Sequence, residues 1–223
     1  MTFPKIVREW LSSDIMAALN LRIISKFGQN DWEKQVEIFN KTHKTYMDRI
    51  TQKRNLPKIA VRLADGTEFQ LTDGEHNLIQ QQVLTEFLPR YGYGAEVLYC
   101  GDSDNKYGVV FEKEKLKEFG IQDLSQGKLP DIVAYSREKD WLYLIEAYHT
   151  SNPMTVERKY ELGRIFSSVA DKCIYITAFE NNEAYHSCTQ ELAWETEVWI
   201  VTDPDHIMHR NGTRFMGPYE KSE

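Results

Sequence analysis

The chain has 223 residues, of which 41% are hydrophobic and 12% aromatic, and it carries a formal net charge of −7. This length fits one domain, or one domain with a small appendage, and the composition excludes a disordered chain. No apolar run reaches the roughly 18 residues that a membrane-spanning helix needs, and the first residues lack a secretory pattern, so we expect a cytoplasmic protein that does not bind membranes. The negative balance also disfavours nucleic-acid binding through bulk charge alone.

The three cysteines predict neither disulfides nor a zinc site. Cys100, Cys173 and Cys188 are odd in number, widely spaced and without a CxxC pair, which indicates reduced thiols. The sequence also lacks the phosphate-binding, dinucleotide-binding and serine-nucleophile motifs GxxxxGKS/T, GxGxxG and GxSxG. Nucleotide hydrolysis, dinucleotide redox chemistry and serine hydrolase chemistry therefore have no support.

Apolar residues recur at helical spacing from Asn30 to Arg54, which predicts a long amphipathic helix in the first part of the chain. Residues 1–72 hold 12 Lys and Arg against 8 Asp and Glu, so positive charge is concentrated there. This density suits a polyanion, and a solvated helix face is the alternative. The candidate polyanion contacts on this helix are Lys41, Lys44, Lys53 and Arg54.

Further along the chain, predicted strands and helices alternate. A hairpin is predicted over 59–71 and a helix after Gly74. The sequence then predicts strands at 97–100 and 109–111, a helix at 112–120, strands at 131–135 and 141–147, a helix at 155–169, a strand at 173–178, a helix at 182–194, a strand at 197–201 and an irregular tail. This order indicates an α/β fold, a mixed sheet flanked by helices, over residues 71–223. We expect residues 1–70 to form an appendage of a helical segment plus the hairpin.

Asp131 begins one of these strands, and Glu146 lies near the end of the next. The polar loop between the strands suits a hairpin, so the strands should be antiparallel neighbours with both carboxylates at one end. Buried carboxylates without partners are costly, and Mg²⁺ prefers oxygen ligands, so this pair suits a divalent cation. A turn-capping Asp131 and an arginine-paired Glu146 are the structural alternative.

Longer motifs extend this pair on both sides: GEHN at 74–77, VLYCGD at 97–102, LPDIVAY at 129–135, WLYLIEA at 141–147, YITAF at 175–179, LAWETEVWI at 192–200 and PDHIMHRNG at 204–212. Together they resemble the BsuBI/PstI family of type II restriction endonucleases, within the PD-(D/E)XK nuclease superfamily. The resemblance runs from about Leu71 to Tyr219, roughly two thirds of the chain.

The resemblance implies a PD-(D/E)XK core and a Mg²⁺-dependent endonuclease that hydrolyses double-stranded DNA at a short palindromic site. It also implies a cognate DNA methyltransferase and a homodimer, since two-fold symmetric sites are met by two-fold symmetric proteins. Asp131 and Glu146 match the metal-binding carboxylates, and Asp102 is a candidate further ligand. Two alternatives stay open: a sequence-nonspecific, repair or phage nuclease, and a catalytically inactive DNA-binding relative.

Tyr148 stands where the superfamily usually has a lysine, two residues after the glutamate. The catalytic cation is therefore expected from elsewhere, and the first turn of the helix after the hairpin offers two candidates. Arg158 matches a basic position of the family, whereas Lys159 is chemically preferable because lysine can give up its proton and arginine cannot. Solvated side chains paired with neighbouring glutamates are the alternative for both.

Further DNA contacts are expected at His76 and Asn77, within GEHN, and at Arg210, Asn211 and Arg214 near the end of the chain. A zinc site at His206 and His209 is a weak alternative, because no cysteine or glutamate lies at ligand spacing in the sequence. Trp194 and Trp199 are expected in the core.

Overall fold

The computed structural model describes residues 57–102, 105–121 and 128–212. The predicted helix over 30–54, with Lys41, Lys44, Lys53 and Arg54, lies outside the described residues, and so does Arg214. In the described part of the chain, no helix is both long and apolar enough to cross a membrane.

The described residues form nine strands in two sheets. The strands are β1 (Lys58–Arg62), β2 (Glu68–Thr72), β3 (Glu96–Asp102), β4 (Asn105–Phe111), β5 (Ile132–Ser136), β6 (Trp141–Tyr148), β7 (Cys173–Phe179), β8 (Thr196–Ile200) and β9 (Asp203–Arg210). β1 and β2 form an antiparallel hairpin, and the other seven form one sheet in the order β4-β3-β5-β6-β7-β8-β9. β6, β7 and β8 run parallel to one another and the remaining pairs are antiparallel, which confirms the predicted mixed α/β sheet.

Five α-helices are described: α1 (Glu75–Gln82), α2 (Leu88–Tyr91), α3 (Lys113–Glu118), α4 (Val156–Ile165) and α5 (Asn182–Cys188). A π-helical turn over Val83–Phe87 joins α1 to α2, and a 3₁₀ turn over Ser167–Lys172 follows α4. Thr155 precedes α4 as its N-cap, and its side chain accepts a hydrogen bond of 3.1 Å from the backbone N–H of Arg158. This cap fixes the first turn of the crossover helix between β6 and β7.

Side chains of the central strands alternate between the two faces of the sheet. On β6, Tyr143 and Ile145 pack in the core shared with α1, whereas Leu142 and Leu144 pack in the core shared with α4. Glu146 continues the second series, and its side chain therefore points to the α4 side.

The β1-β2 hairpin packs with the main sheet's core, because Val61 and Leu71 are buried in the same cluster as the apolar residues of α1. Residues Pro57–Glu223 form one compact unit that includes this hairpin. The appendage expected over 1–70 stays a prediction, since most of that range is not described.

Three features of the last third differ from the predictions. The predicted irregular tail is wrong for residues 203–210, which form the edge strand β9. The predicted helix over 182–194 ends at Cys188, because the chain then turns into an extended segment in which Leu192 bridges Thr155. Trp194 is 60% exposed rather than in the core, whereas Trp199 is fully buried as predicted.

Candidate active site

The β5-β6 register brings the two candidate carboxylates together. Ile132 pairs with Ile145 in this antiparallel ladder, so Asp131 lies opposite Glu146 one step further along. Side chains at directly opposed positions have Cβ atoms about 5 Å apart. The hairpin predicted from the sequence is confirmed, and it sets both carboxyl groups at one end of the central strands.

Glu146 is an ionisable group inside the core, with 2% of its surface exposed. Burial, followed by the charge of Asp131, raises its pKa to about 8, although Arg158 opposes this shift. Burial and the neighbouring carboxylate thus disfavour the anion of Glu146, which a further cation would stabilise. Perturbed acids of this kind cluster at functional sites.

Arg158 reaches Glu146 from the first turn of α4. Its Nε donates to Glu146 Oε1 at 2.7 Å, and its Nη1 donates to Glu161 Oε2 at 2.6 Å. The guanidinium also donates to the backbone carbonyls of Lys128 and Leu129, at 3.2 and 3.0 Å. One arginine thus ties α4 to the carboxylate and to the segment that leads into β5.

Asp131 is held from two sides. Its Oδ2 accepts a hydrogen bond of 2.8 Å from the backbone N–H of Ala147, the residue after Glu146. The same oxygen lies 3.1 Å from Nε2 of His76, on the second residue of α1. Two donors therefore converge on one oxygen of this carboxylate.

His76 is itself fixed by two buried amides. Its Nδ1 lies 3.3 Å from Asn77 Oδ1 and 3.2 Å from Gln80 Nε2, and both amide residues are fully buried. Burial by itself disfavours the charged ring, but the hydrogen bond and negative charge of Asp131 outweigh it and raise the pKa of His76. The structure thus places this histidine on a candidate metal-binding carboxylate.

Asp102 takes part in a separate network on the α1 side of the sheet. Its Oδ1 accepts from the backbone N–H of Thr72 and from Asn77 Nδ2, at 3.1 and 2.6 Å, and its Oδ2 accepts from the Thr72 hydroxyl at 2.9 Å. These bonds join β2, β3 and α1. They do not support the predicted role of Asp102 as a metal ligand, because protein donors already surround its carboxylate.

Asn77 lies in the same network. Its Nδ2 also donates to the Thr72 carbonyl at 2.7 Å, and the residue is fully buried. The structure therefore does not support the expected DNA contact of Asn77, since a buried amide cannot reach DNA.

Lys159 points away from the two carboxylates. Its Nζ donates to the carbonyls of Trp194 and Glu195, at 2.8 and 3.0 Å, and lies over the Tyr175 ring. Of the two predicted cations, only Arg158 contacts the site. The preference for Lys159 is not supported, because its ammonium is engaged by the segment before β8.

Arg210 and Asn211 lie at the end of β9, three strands from β6 in the sheet order. The Arg210 guanidinium stacks over the Trp194 ring, 4.8 Å from its centroid. Their expected DNA contacts stay predictions, and the stacked pair gives this edge of the sheet an exposed aromatic and cationic surface.

The HxxH pair does not form a zinc site. His206 Nδ1 pairs with Asp203 at 2.7 Å and His209 Nδ1 with Glu197 at 2.7 Å, so the two histidines use different partners. Within the described ranges, no group of three or more His, Cys, Asp or Glu residues is arranged to hold a metal ion.

Tyr148, at the usual lysine position, contributes no cation. Its ring packs on Phe179 with centroids 5.1 Å apart, in the small cluster next to α5. The position serves packing in this chain, which leaves Arg158 as the cation at Glu146.

Asp131 and Glu146 suit a divalent metal. Mg²⁺ keeps several waters and is commonly bound by one or two carboxylates together with substrate phosphates, so it needs no cage of many side chains. A buried glutamate whose pKa is raised beside a second carboxylate is stabilised as an anion by such a cation. The donor set present therefore fits magnesium.

Comparison with known proteins places the chain among restriction endonuclease domains. Residues 59–213 match the BsuBI/PstI restriction endonuclease domain, and the chain belongs to this family. The resemblance inferred from the motifs is thereby confirmed.

Two curated relatives are similar over most of the chain. It is 36% identical over 203 residues to the type II restriction enzyme BsuBI of Bacillus subtilis. The aligned residues cover 91% of this chain and 64% of that enzyme. It is 27% identical over 203 residues to the type II restriction enzyme AplI of Arthrospira platensis, covering 88% and 62%. The chain thus spans less than two thirds of the length of either relative.

The fold is similar to that of the SdaI restriction endonuclease. The two structures superpose with a TM-score of 0.67 at 35% sequence identity, covering 95% of this chain and 65% of that one. This similarity agrees with the seven-stranded mixed sheet described above.

Sequence reasoning missed the contact between His76 and Asp131, because the two residues are 55 positions apart. One local signal was available. His76 and Gln80 are four residues apart on a helix, so they share a face, and Gln80 is buried although it is polar. A polar side chain on a buried helix face indicates a specific hydrogen bond.

Proposed function

We propose that this protein is a type II restriction endonuclease, which hydrolyses phosphodiester bonds of double-stranded DNA at a short palindromic site and depends on Mg²⁺. The opposed Asp131 and Glu146 pair carries the proposal, since two facing carboxylates at one end of the central strands suit a divalent cation. Family membership and the similarity to two type II restriction enzymes support it.

Asp131 and Glu146 are the residues that would hold the metal. When bound, magnesium supplies Lewis-acid stabilisation of the phosphate charge and an activated water. Arg158 stays charged at all relevant pH values, so it cannot transfer a proton. Its role is to hold Glu146 and to offset the negative charge of the site. Nothing in this scheme needs a lysine at position 148.

The proposed partners are double-stranded DNA and a second copy of the chain. A palindrome presents two identical half-sites, and a two-fold homodimer places one carboxylate pair at each strand. A cognate DNA methyltransferase, which would protect the host's own sites, and a cytoplasmic location belong to the same proposal.

The proposal is tested with the purified chain, plasmid DNA and MgCl₂. Discrete fragments that disappear with EDTA are the expected result. Asp131→Ala and Glu146→Gln should abolish cleavage, whereas Arg164→Ala, which removes an exposed arginine from the same helix as Arg158, should leave it intact. Full cleavage by either carboxylate variant would refute the site.

The same assay separates the alternatives. A smear of products indicates a sequence-nonspecific nuclease, and DNA binding without cleavage indicates an inactive relative. Sequencing the fragment ends from a known genome would give the recognition site and the stagger together.

Arg158 and Lys159 are distinguished by their alanine variants. Arg158 contacts Glu146 and Lys159 does not, so Arg158→Ala should lower the cleavage rate far more than Lys159→Ala. If Lys159→Ala lowers the cleavage rate as much or more, the catalytic role belongs to Lys159 instead.

A further inference from the structure

The His76 ring reaches the carboxylate site from the layer opposite Arg158. α1 packs on one face of the sheet and α4 on the other, and the carboxylate pair lies at the end of the strands between them. Arg158 contacts Glu146 from the α4 side, and His76 contacts Asp131 from the α1 side. Each carboxylate therefore has one cationic or donor side chain of its own.

The direction of the His76 hydrogen bond follows from its acceptor. An ionised carboxylate only accepts, so Nε2 must carry a proton to bond Asp131 Oδ2 at 3.1 Å. The Ala147 N–H already donates to the same oxygen at 2.8 Å. A cation would have to take the other oxygen, Oδ1, or compete with two donors.

The buried amide side chains of Asn77 and Gln80 orient the His76 ring through its other nitrogen, Nδ1. The Cys100 thiol donates to Gln80 Oε1 at 3.3 Å, which leaves Gln80 Nε2 to face His76 Nδ1. Asn77 uses its Nδ2 on Thr72 and Asp102, which leaves its Oδ1 to face the same nitrogen. Nδ1 thus meets a donor and an acceptor, and the ring keeps its orientation with or without a proton there.

We propose that His76 is a positioning residue of the metal site, which holds Oδ2 of Asp131 so that the carboxylate presents Oδ1 to a divalent cation. The proposal rests on the function proposed above, and it replaces the expected DNA contact of His76. Hydrogen-bonded partners of metal-binding groups fix ligand orientation, and their loss typically weakens metal affinity by about 10–100-fold.

The competing interpretation is that His76 merely anchors α1 to the start of β5. Both interpretations expect some loss of stability when the imidazole is removed. Only the positioning role expects metal affinity to fall in a variant that is still folded, and to recover when another side chain restores the donor.

The experiment measures Mn²⁺ affinity by electron paramagnetic resonance of free Mn²⁺, with the purified 223-residue chain and no DNA. His76→Ala should weaken binding by about 10–100-fold. His76→Gln, whose Nε2 can donate to Asp131 but whose amide lacks the ring, should recover most of that loss. His209→Ala, which removes a carboxylate-paired histidine from β9, should bind as the wild type does.

Thermal unfolding of each variant, recorded in parallel, shows which proteins are folded. Wild-type affinity in a folded His76→Ala, or a His76→Gln no better than His76→Ala, would overturn the positioning role. Wild-type protein that does not bind Mn²⁺ would also overturn it.

Cleavage assays separate this inference from the proposed function. A wild type that binds Mn²⁺ but cuts no DNA would contradict the proposed function, and the affinities would still decide the role of His76. A wild type that cuts DNA while His76→Ala binds Mn²⁺ normally would leave the function standing and refute the positioning role.

Discussion

Glu146 and Asp131 have different surroundings although they face each other. Glu146 is enclosed by the core and paired with one arginine, whereas Asp131 is partly open, with 24% of its side chain exposed, and accepts from a backbone N–H and a histidine. The free-energy cost of burying a negative charge therefore falls mainly on Glu146. A bound divalent cation would relieve that cost.

The raised pKa of Glu146 predicts a pH-dependent stability in EDTA. The folded pKa of about 8 lies above the unfolded value of 4.5, so the folded state holds more protons between these limits. Stability contributed by this group is therefore lost as pH rises from about 4.5 to 8, by an amount on the order of a few kcal/mol. Glu146→Gln does not titrate and should lack this loss.

Urea unfolding of both proteins at pH 5.5 and pH 8 measures the effect. Raising the pH should lower the unfolding free energy of the wild type more than that of Glu146→Gln. Equal pH dependence in the two proteins would show that Glu146 ionises normally in the fold.

At the scale of elements, the apolar pattern of the sequence predicts the buried strands. The apolar run from Leu142 to Ile145 after a polar loop identified β6, and the apolar run of β7 identified a buried strand. β9 was missed because it is an edge strand with most residues exposed on both faces, so DPDHIMHR has no alternation to detect.

The candidate site likewise has one part that local sequence predicts and another part that it does not. The facing of Asp131 and Glu146 follows from a short hairpin, which local sequence can predict. The contacts of His76 and Arg158 depend on how α1 and α4 pack against opposite faces of the sheet, and no local pattern encodes that packing. Asp102 illustrates the limit, since its motif resembles the family while its partners are Thr72 and Asn77.

The Asp102 network predicts a structural role that joins three elements. Asp102→Asn replaces an accepting oxygen with a donor among groups that themselves donate, so it should destabilise the fold by about 2 kcal/mol. Mn²⁺ affinity should stay at the wild-type value, because protein donors already contact both oxygens of the carboxylate. Chemical denaturation and Mn²⁺ titration of the variant measure the two effects.

Asp65→Asn is the matched control, since Asp65 accepts from Thr67 in the exposed turn of the β1-β2 hairpin. It should change neither quantity appreciably. A loss of Mn²⁺ affinity in Asp102→Asn, at unchanged stability, would instead restore Asp102 as a metal ligand.

At the scale of the molecule, charge is divided unevenly along the chain. Residues 1–56 hold 10 Lys and Arg against 6 Asp and Glu, although the whole protein has a net charge of −7. Residues Pro57–Glu223 form one compact unit that contains the carboxylate pair, His76 and Arg158. The chemistry and the excess positive charge therefore belong to different parts of the sequence.

This division predicts the behaviour of a chain that begins at Pro57. The β1-β2 hairpin and both main cores are retained, so the shortened protein should unfold cooperatively and bind Mn²⁺ as the full chain does. DNA affinity should fall, and its salt dependence should become shallower, because phosphate contacts by lysine and arginine release counterions. Fluorescence anisotropy with labelled duplex DNA in Ca²⁺, at several salt concentrations, measures both changes. An unchanged affinity and salt slope would place the DNA contacts within residues 57–223, and failure of the shortened chain to fold would show that this unit depends on residues 1–56.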